Sequence, residues 1–184
     1  MSETNENLML RYQAGSEKAF RELYKNNEYK LMSYLVHVLK DRTVAEEVFQ
    51  EVWTTIISSS PTYKAGGSGS FRAWLFLIAH SRCMDYFRKN NIKFAPIENE
   101  DGEEFYCATN SDVAHNLMIS KAYERLQHCV GKLSIVQREV YVLRQESELT
   151  IPQIADILDV PLETVKTRLR YALERLRACM GDAY

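Results

Sequence analysis

Apolar residues recur at three- and four-residue spacing along most of the chain, which is the period of an amphipathic α-helix. The clearest case is residues 149–177, where two such stretches flank a polar break. Thr150 and Gln153 have the spacing of a capping box at the start of the first stretch. Asp159 and Pro161 favour a sharp turn, because Asp tolerates left-handed backbone and Pro disfavours helix at the preceding residue. The pattern predicts a helix, a turn and a second helix.

The second helix of this pair has a basic outer face. Between residues 162 and 180, five Lys or Arg stand against two Glu. The outward positions are Lys166, Thr167, Arg168, Arg170 and Tyr171. A short cationic helix packed across another helix fits the major groove of DNA. The pattern therefore predicts a DNA-binding helix-turn-helix, with a merely solvated basic face as the alternative.

The same three- and four-residue spacing predicts helices over much of the remaining chain. Further helices are expected over residues 4–13, 16–39, 43–56, 71–90, 114–131 and 134–143. The stretch 16–39 is compatible with one continuous helix or with two. Thr43 with Glu46, and Ser134 with Gln137, repeat the capping-box spacing. Because no segment alternates with the period of a strand, the predicted fold class is all-α.

Two of these helices have chemically distinct faces. The helix from residue 43 has an acidic outer face formed by Glu46, Glu47, Gln50 and Glu51. The helix from residue 71 interleaves aromatic rings with Arg and Lys, which suits single-stranded nucleic acid because cations neutralise phosphates while rings receive unstacked bases. For Trp74 we favour a core position over a stacking platform. Between the two helices, residues 58–70 are rich in Ser, Gly and Pro and predict a long, functional loop.

A change of composition marks a domain boundary. Residues 94–113 lose the helical spacing and contain six Asp or Glu with no Lys or Arg. This predicts a flexible acidic linker. The expected organisation is a domain over residues 1–93, a linker over 94–113, and a helix-turn-helix domain over 114–184.

Composition limits the classes of function. The 184-residue chain is 46% hydrophobic, enough for a folded core, and has a formal net charge of −2. Nucleic-acid contact is therefore expected from local basic patches. No run of about 18 apolar residues occurs, so no membrane insertion is expected. The acidic, polar N-terminus is unlike a signal peptide, which predicts a cytoplasmic protein.

The sequence contains no motif of an enzyme or of a metal site. It lacks a nucleophile motif, and the glycines at 66–69 follow no strand and precede no Lys-Ser/Thr pair, so they are not a phosphate loop. His80 and Cys83 form an isolated pair, too few for a metal site. We therefore predict a protein that is not an enzyme, has no metal or cofactor, and keeps its thiols reduced. The cysteines are Cys83, Cys107, Cys129 and Cys179.

Four stretches together resemble the extracytoplasmic-function (group 4) sigma factors of the sigma-70 family. LMLRYQAGSEKAFRELY resembles the opening of the family, and AEEVFQEVW its polymerase-binding helix. FRAWLFLIAHSRCMDYFRK resembles the −10 segment. The stretch from LSIVQREVYVLRQESELT to LERLR resembles the −35-binding domain. The order and spacing of the four stretches, with an acidic linker between, make the resemblance specific.

The resemblance implies a promoter-specific initiation factor for RNA polymerase, acting in a stress response. Its implied partners are core RNA polymerase (the β′ clamp helices and the β flap), promoter DNA and an anti-sigma factor, which could hold it at the inner membrane. The implied polymerase-binding residues are Glu46, Glu47, Gln50, Glu51 and Trp53. Those implied for the −10 element are Phe71, Arg72, His80, Ser81, Arg82, Asp85, Arg88 and Lys89. The basic helix from Lys166 to Tyr171 would read the −35 element, with Arg168 or Arg170 on guanine edges.

Two departures from the family pattern affect these expectations. Asp159 stands where the family usually has Gly, and Pro161 where it often has Ser, so the second helix would begin without a side-chain cap. His80 and Ser81 stand where the family often has Asn, so its −10 base preference does not carry over.

An ordinary dimeric helix-turn-helix regulator is the alternative function. It would use residues 114–184 to bind DNA and the N-terminal part for sensing or dimerisation. The basic-aromatic stretch over residues 71–93 favours the sigma-factor interpretation, because a sensing domain has no need of a second nucleic-acid patch.

Overall fold

The computed structural model of the protein describes residues 3–64, 70–91 and 117–181, which form eight α-helices, one short 3₁₀ turn and no strand. The all-α prediction is confirmed. The helices are α1 (Asn5–Gln13), α2 (Glu17–Leu39), α3 (Arg42–Ser59), α4 (Phe71–Lys89), α5 (Leu117–Gly131), α6 (Ile135–Gln145), α7 (Ile151–Leu158) and α8 (Leu162–Met180), with the 3₁₀ turn (Ser60–Thr62) after α3. Residues 16–39 thus hold one helix, not two.

The helix starts follow the sequence where a capping side chain precedes the first turn. Ser16 accepts a hydrogen bond from the Ala19 amide, and Ser70 one from the Ala73 amide. At Thr150 both bonds of the predicted capping box are present. These side chains satisfy amide groups that the first turn of a helix leaves without a backbone partner.

Two predicted capping boxes are wrong. Helix α3 begins before Thr43, because Asp41 accepts a hydrogen bond from the Val44 amide at 3.1 Å and takes the capping position. Ser134 does precede α6, but its side chain makes no capping hydrogen bond. Sequence spacing places a cap only to within a few residues when several Asp, Ser or Thr side chains compete.

Helices α1–α4, the N-terminal half, pack around an aromatic cluster. Trp53 of α3 lies against Tyr24 at a ring distance of 4.8 Å and against Phe20 at 5.8 Å. A second group joins Tyr63 to Phe71 and Trp74. The N-terminal end of α4 is therefore packed against the Tyr63 ring.

Helices α5–α8, the C-terminal half, share one continuous apolar core with the N-terminal half, and a disulfide joins the first and last helices of the C-terminal half. Cys129 of α5 is bonded to Cys179 of α8. The prediction of reduced thiols is wrong for this pair, because the packing of α8 against α5 brings together two cysteines 50 residues apart. Cys83 is free and buried, and Cys107 lies outside the described residues.

The two halves contact each other directly. Helix α2 packs on α6, and α4 packs on α7. The predicted linker over residues 94–113 lies outside the described residues, so the domain boundary stays a prediction. The arrangement brings one side of α4 against the C-terminal half.

Candidate functional site

The helix-turn-helix pair has the geometry that its sequence predicts. Asp159 adopts the left-handed conformation at φ 51°, which reverses the chain after α7. Pro161 precedes α8 and supplies no side-chain cap, as its chemistry requires. Val165, Ala172 and Leu176 are buried on the inner face of α8. The packing fixes which side of α8 is turned to solvent.

The predicted basic residues lie on that outer side. Lys166, Thr167, Arg170 and Tyr171 are exposed, and Arg168 is half-buried. Lys166 Nζ lies 2.7 Å from Glu163 Oε1, and the Arg170 guanidinium lies 5.0 Å from the centre of the Tyr171 ring. Exposed ion pairs of this kind exchange partners at low cost. The face can therefore present its cations to a phosphate backbone.

The first turn of α4 belongs to the core. Phe71 is fully buried, and its amide donates to Glu6 Oε1 of α1 at 2.9 Å. Trp74 is half-buried, with its ring 5.0 Å from that of Tyr63, in agreement with the core position favoured for it. Phe71 therefore supports the predicted −10 surface from beneath and is not part of it.

Farther along α4, three of the predicted −10 residues are exposed to solvent: Ser81, Arg88 and Lys89. Two more, Arg82 and Asp85, are partly buried and contact neighbouring side chains. Arg82 donates to Thr55 Oγ1 at 3.0 Å, and Asp85 pairs with Arg88 at 3.2 Å.

Two other predicted residues, Arg72 and His80, are held by the C-terminal half. Arg72 Nη1 lies 2.6 Å from Glu148 Oε2, and His80 Nδ1 lies 2.8 Å from Glu139 Oε1. The described arrangement therefore leaves only part of the predicted surface open.

The acidic face of α3 is exposed as predicted. Trp53, which the family resemblance placed among the polymerase-binding residues, does not lie on that face. Glu46, Glu47, Gln50 and Glu51 are all exposed. Trp53 is only 5% exposed, because it lies one turn beyond Phe49 on the inner side of the helix. The acidic face is therefore formed by the four polar residues alone.

Sequence reasoning missed the contacts that α1 makes around residues 65–69. The Gln13 amide donates to the Ser60 carbonyl at 2.6 Å and to the Tyr63 carbonyl at 2.9 Å. With the bond from Phe71 to Glu6, α1 holds the chain on both sides of that segment. Periodicity marks Gln13 and Glu6 only as polar positions on α1, and nothing in the sequence indicates their distant partners.

Sequence reasoning also missed Glu139, a buried carboxylate in α6. It is 1% exposed and lies in the apolar run around IVQREVYVL. Burial, with a contribution from Glu139, raises the pKa of Tyr34 well above its ordinary value. Burial also lowers the pKa of the neighbouring Arg138 to about 10. The sequence does contain one signal for such a residue, namely a charged position inside an apolar run. A charge buried there requires a partner elsewhere in the fold.

No cluster of metal-ligating side chains occurs in residues 3–64, 70–91 and 117–181, the part that the structure describes. None of the helices in that part combines the length and the hydrophobicity that a membrane span requires.

Two family models match the chain in sequential order. The model described as Sigma-70 region 2 matches residues 23–92, and that described as Sigma-70, region 4 matches residues 123–176. The ECF RNA polymerase sigma factor SigK of Mycobacterium ulcerans is 30% identical over 180 residues, covering 95% of this chain and 92% of the relative. SigK of Mycolicibacterium vanbaalenii is 29% identical over 166 residues, covering 90% and 84%.

Solved structures share the fold at lower sequence identity. The sigma factor RpoE of Bartonella quintana, in complex with the anti-sigma factor NepR, matches with a TM-score of 0.69 at 18% identity, covering 91% of this chain and 99% of that one. CnrH in complex with the cytosolic domain of CnrY matches with a TM-score of 0.66 at 19% identity, covering 99% and 100%.

Proposed function

Because the chain belongs to the extracytoplasmic-function RNA polymerase sigma factors, we propose that it binds core polymerase, opens promoter DNA at the −10 element and reads the −35 element. Residues 23–92 would act at the −10 element and residues 123–176 at the −35 element. The observation that carries the proposal is the exposed cationic face of α8, on a helix-turn-helix pair inside the region 4 match. We call Lys166, Thr167, Arg168, Arg170 and Tyr171 the −35 face.

The −35 face has groups for both backbone and base contacts. Lys166 and Thr167 suit phosphates, which position the protein without reading sequence. Arg168 and Arg170 have the planar donor fork that pairs with the O6 and N7 atoms of guanine. The half-buried position of Arg168 favours it for base reading, because a side chain held by its surroundings loses less freedom on binding.

The −10 face is formed by Arg72, His80, Ser81, Arg82, Asp85, Arg88 and Lys89. We propose that its exposed cations, Arg88 and Lys89, draw the non-template strand along α4. Ser81 and His80 would contact an unstacked base, whose extrusion costs a few kcal/mol. The support of α4 by the aromatic rings and by Glu6 would keep this surface rigid while the duplex opens.

The acidic face of α3, formed by Glu46, Glu47, Gln50 and Glu51, is the proposed docking surface for a basic part of core polymerase, the β′ clamp helices. The C-terminal half would meet the β flap. An anti-sigma factor is a further proposed partner, supported by the complex in which RpoE of B. quintana is found. That partner could also keep the protein at the inner membrane.

Strand opening tests the −10 assignment. We would recover a promoter by transcribing a promoter pool with core polymerase, then place 2-aminopurine in its −10 element and follow fluorescence. Arg88→Ala combined with Lys89→Ala should slow opening, while Lys25→Ala, an exposed lysine of α2 outside the proposed faces, should leave it unchanged. Equal opening rates for both variants would contradict the assignment.

A further inference from the structure

Helix α1 contacts two elements of the N-terminal half besides its neighbour α2. These are α4 and the 3₁₀ turn that follows α3. Leu8 and Met9 are buried on the inner face of α1 and anchor the helix in the core. Helix α1 precedes residues 23–92, the segment that the Sigma-70 region 2 model matches. That match therefore assigns no role to α1.

The last residue of α1, Gln13, holds the 3₁₀ turn. Its side-chain amide donates to the Ser60 carbonyl at 2.6 Å and to the Tyr63 carbonyl at 2.9 Å. Both N–H groups of the amide are used on this one turn of the chain. The ring of Tyr63 in turn lies 5.0 Å from that of Trp74 and 6.0 Å from that of Phe71. Gln13 therefore acts on the first turn of α4 through Tyr63.

The first turn of α1 holds the same part of α4 directly. Glu6 Oε1 accepts a hydrogen bond at 2.9 Å from the amide of Phe71, the first residue of α4. That amide has no partner within α4, because the first amides of a helix have no preceding helical carbonyl. The helix dipole also favours a carboxylate at this end. Burial, and then the charge of Glu6, raises the pKa of Tyr63, so the contacts of both ends of α1 meet at one cluster.

Glu6 and Gln13 lie on one helix, about 10 Å apart along its axis. Because the inner face of α1 is buried, these two contacts keep a fixed separation. Arg72, the residue after Phe71, belongs to the −10 face. We propose that Glu6 and Gln13 are positioning residues for strand opening, which hold the first turn of α4 where the −10 face can receive the DNA strand. The inference rests on the proposed function, since it assumes that α4 binds the −10 element.

The expected effect lies in the opening step. A face that is already in position loses less freedom on binding than one that must first be ordered. Without Gln13 or Glu6, the cost of ordering the start of α4 would fall on opening. The acidic face of α3 makes neither contact, so the affinity for core polymerase should not change. One hydrogen bond typically corresponds to about a twofold to tenfold change in an equilibrium, which sets the scale of the loss.

The variants remove a hydrogen-bonding group and keep the length of the side chain. Gln13→Met removes both donors without a change of charge, at an exposed position outside the core. Glu6→Met and Glu6→Gln make the same change of charge, but only Glu6→Gln keeps an acceptor for the Phe71 amide. Asp41→Ala is the control for lost stability, because it removes the cap of α3. Asp41 lies at the opposite end of that 18-residue helix, about 27 Å from the 3₁₀ turn.

The assay follows the fluorescence of 2-aminopurine in the −10 element by stopped flow, with the full chain, core polymerase and a promoter recovered from the pool. Rates are measured over a range of holoenzyme concentrations, which separates the half-saturating concentration from the limiting first-order rate. Urea unfolding reports the stability of each variant. Partial unfolding lowers the concentration of holoenzyme but not the limiting rate of the folded fraction, so a purely structural role would not change that rate.

Gln13→Met and Glu6→Met should lower the limiting rate about threefold to tenfold, with the half-saturating concentration unchanged. Glu6→Gln should stay within about twofold of the natural protein. Asp41→Ala should open DNA at the natural rate although it is less stable. A natural limiting rate in either methionine variant would overturn the role of that residue. Equal slowing in Glu6→Gln and Glu6→Met, or in Asp41→Ala, would overturn the proposal, and if Gln13→Met fails to fold, the two Glu6 variants decide.

The natural protein separates failure of this inference from failure of the proposed function. If it opens promoter DNA with core polymerase and the methionine variants match its limiting rate, only the positioning role fails. If it gives no opening that depends on core polymerase at any promoter of the pool, the proposed function itself fails.

Discussion

Reduction of the Cys129–Cys179 disulfide should destabilise the C-terminal half by a large, measurable amount. The bond joins residues 50 positions apart, so it closes a long loop of the unfolded chain. In the chain-entropy model, that closure removes about 14 cal/mol/K from the unfolded state, or about 4 kcal/mol at 25 °C. The bond lies between α5 and the last turn of α8, so the destabilisation should begin where α8 is held against α5.

The assay is urea unfolding of the full chain, followed by circular dichroism, with and without a reductant. We expect the free energy of unfolding to fall by about 2–4 kcal/mol, because measured losses usually lie below the entropic value. For a chain of 184 residues that unfolds as one unit, each kcal/mol corresponds to about 2–4 °C in Tm. The reduced protein should therefore melt about 4–16 °C lower.

The control is a variant with both Cys129→Ser and Cys179→Ser, which should resemble the reduced protein and should not respond to reductant. A change below about 1 kcal/mol in the natural protein on reduction would refute the reasoning, because it would mean that the unfolded chain gains little freedom. A reductant effect of equal size in the double variant would place the cause outside the bond.

Four further predictions concern individual side chains. Arg168→Ala should weaken use of promoters with a −35 element by about 1–3 kcal/mol if it reads a base edge, measured by transcription on promoters with and without that element. Glu47→Lys with Glu51→Lys should lower affinity for core polymerase in a pull-down while the thermal unfolding stays the same. Thr150→Ala should cost about 1 kcal/mol of stability in urea unfolding, because it removes a confirmed helix cap. Glu148 lies 2.8 Å from Lys30 Nζ and 2.6 Å from Arg72 Nη1, and the hydrogen bonds from Lys30 and then Arg72 lower its pKa. These ion pairs stabilise the fold above the unfolded pKa of Glu148 and are lost as pH falls through its folded pKa. Stability in urea unfolding should therefore fall below about pH 4, and by less in Glu148→Gln.

Much of the local structure could be predicted from the sequence, since helical period and capping chemistry act over only a few residues. The turn at Asp159 is an example, because the left-handed conformation and the following Pro161 leave few alternatives. The solvent-facing side of α8 follows from the buried positions of Val165, Ala172 and Leu176. These features need no knowledge of the rest of the fold.

Contacts between distant segments could not be predicted in the same way. Periodicity assigns a residue to a helix face but does not identify the residue that it contacts. The bond between Cys129 and Cys179 and the pairing of Glu139 with His80 could therefore not be predicted. Trp53 shows a different cause. It belongs to the inner stripe of α3, and only the resemblance to other sigma factors suggested it as part of a docking surface.

The most direct test mixes the purified protein with bacterial core RNA polymerase and scores both co-elution and transcription from a promoter pool. We predict co-elution together with new promoter-specific transcripts, which would identify the −35 and −10 elements in one experiment. Binding to DNA by the protein alone, with no affinity for core polymerase, would contradict the account and favour a dimeric helix-turn-helix regulator.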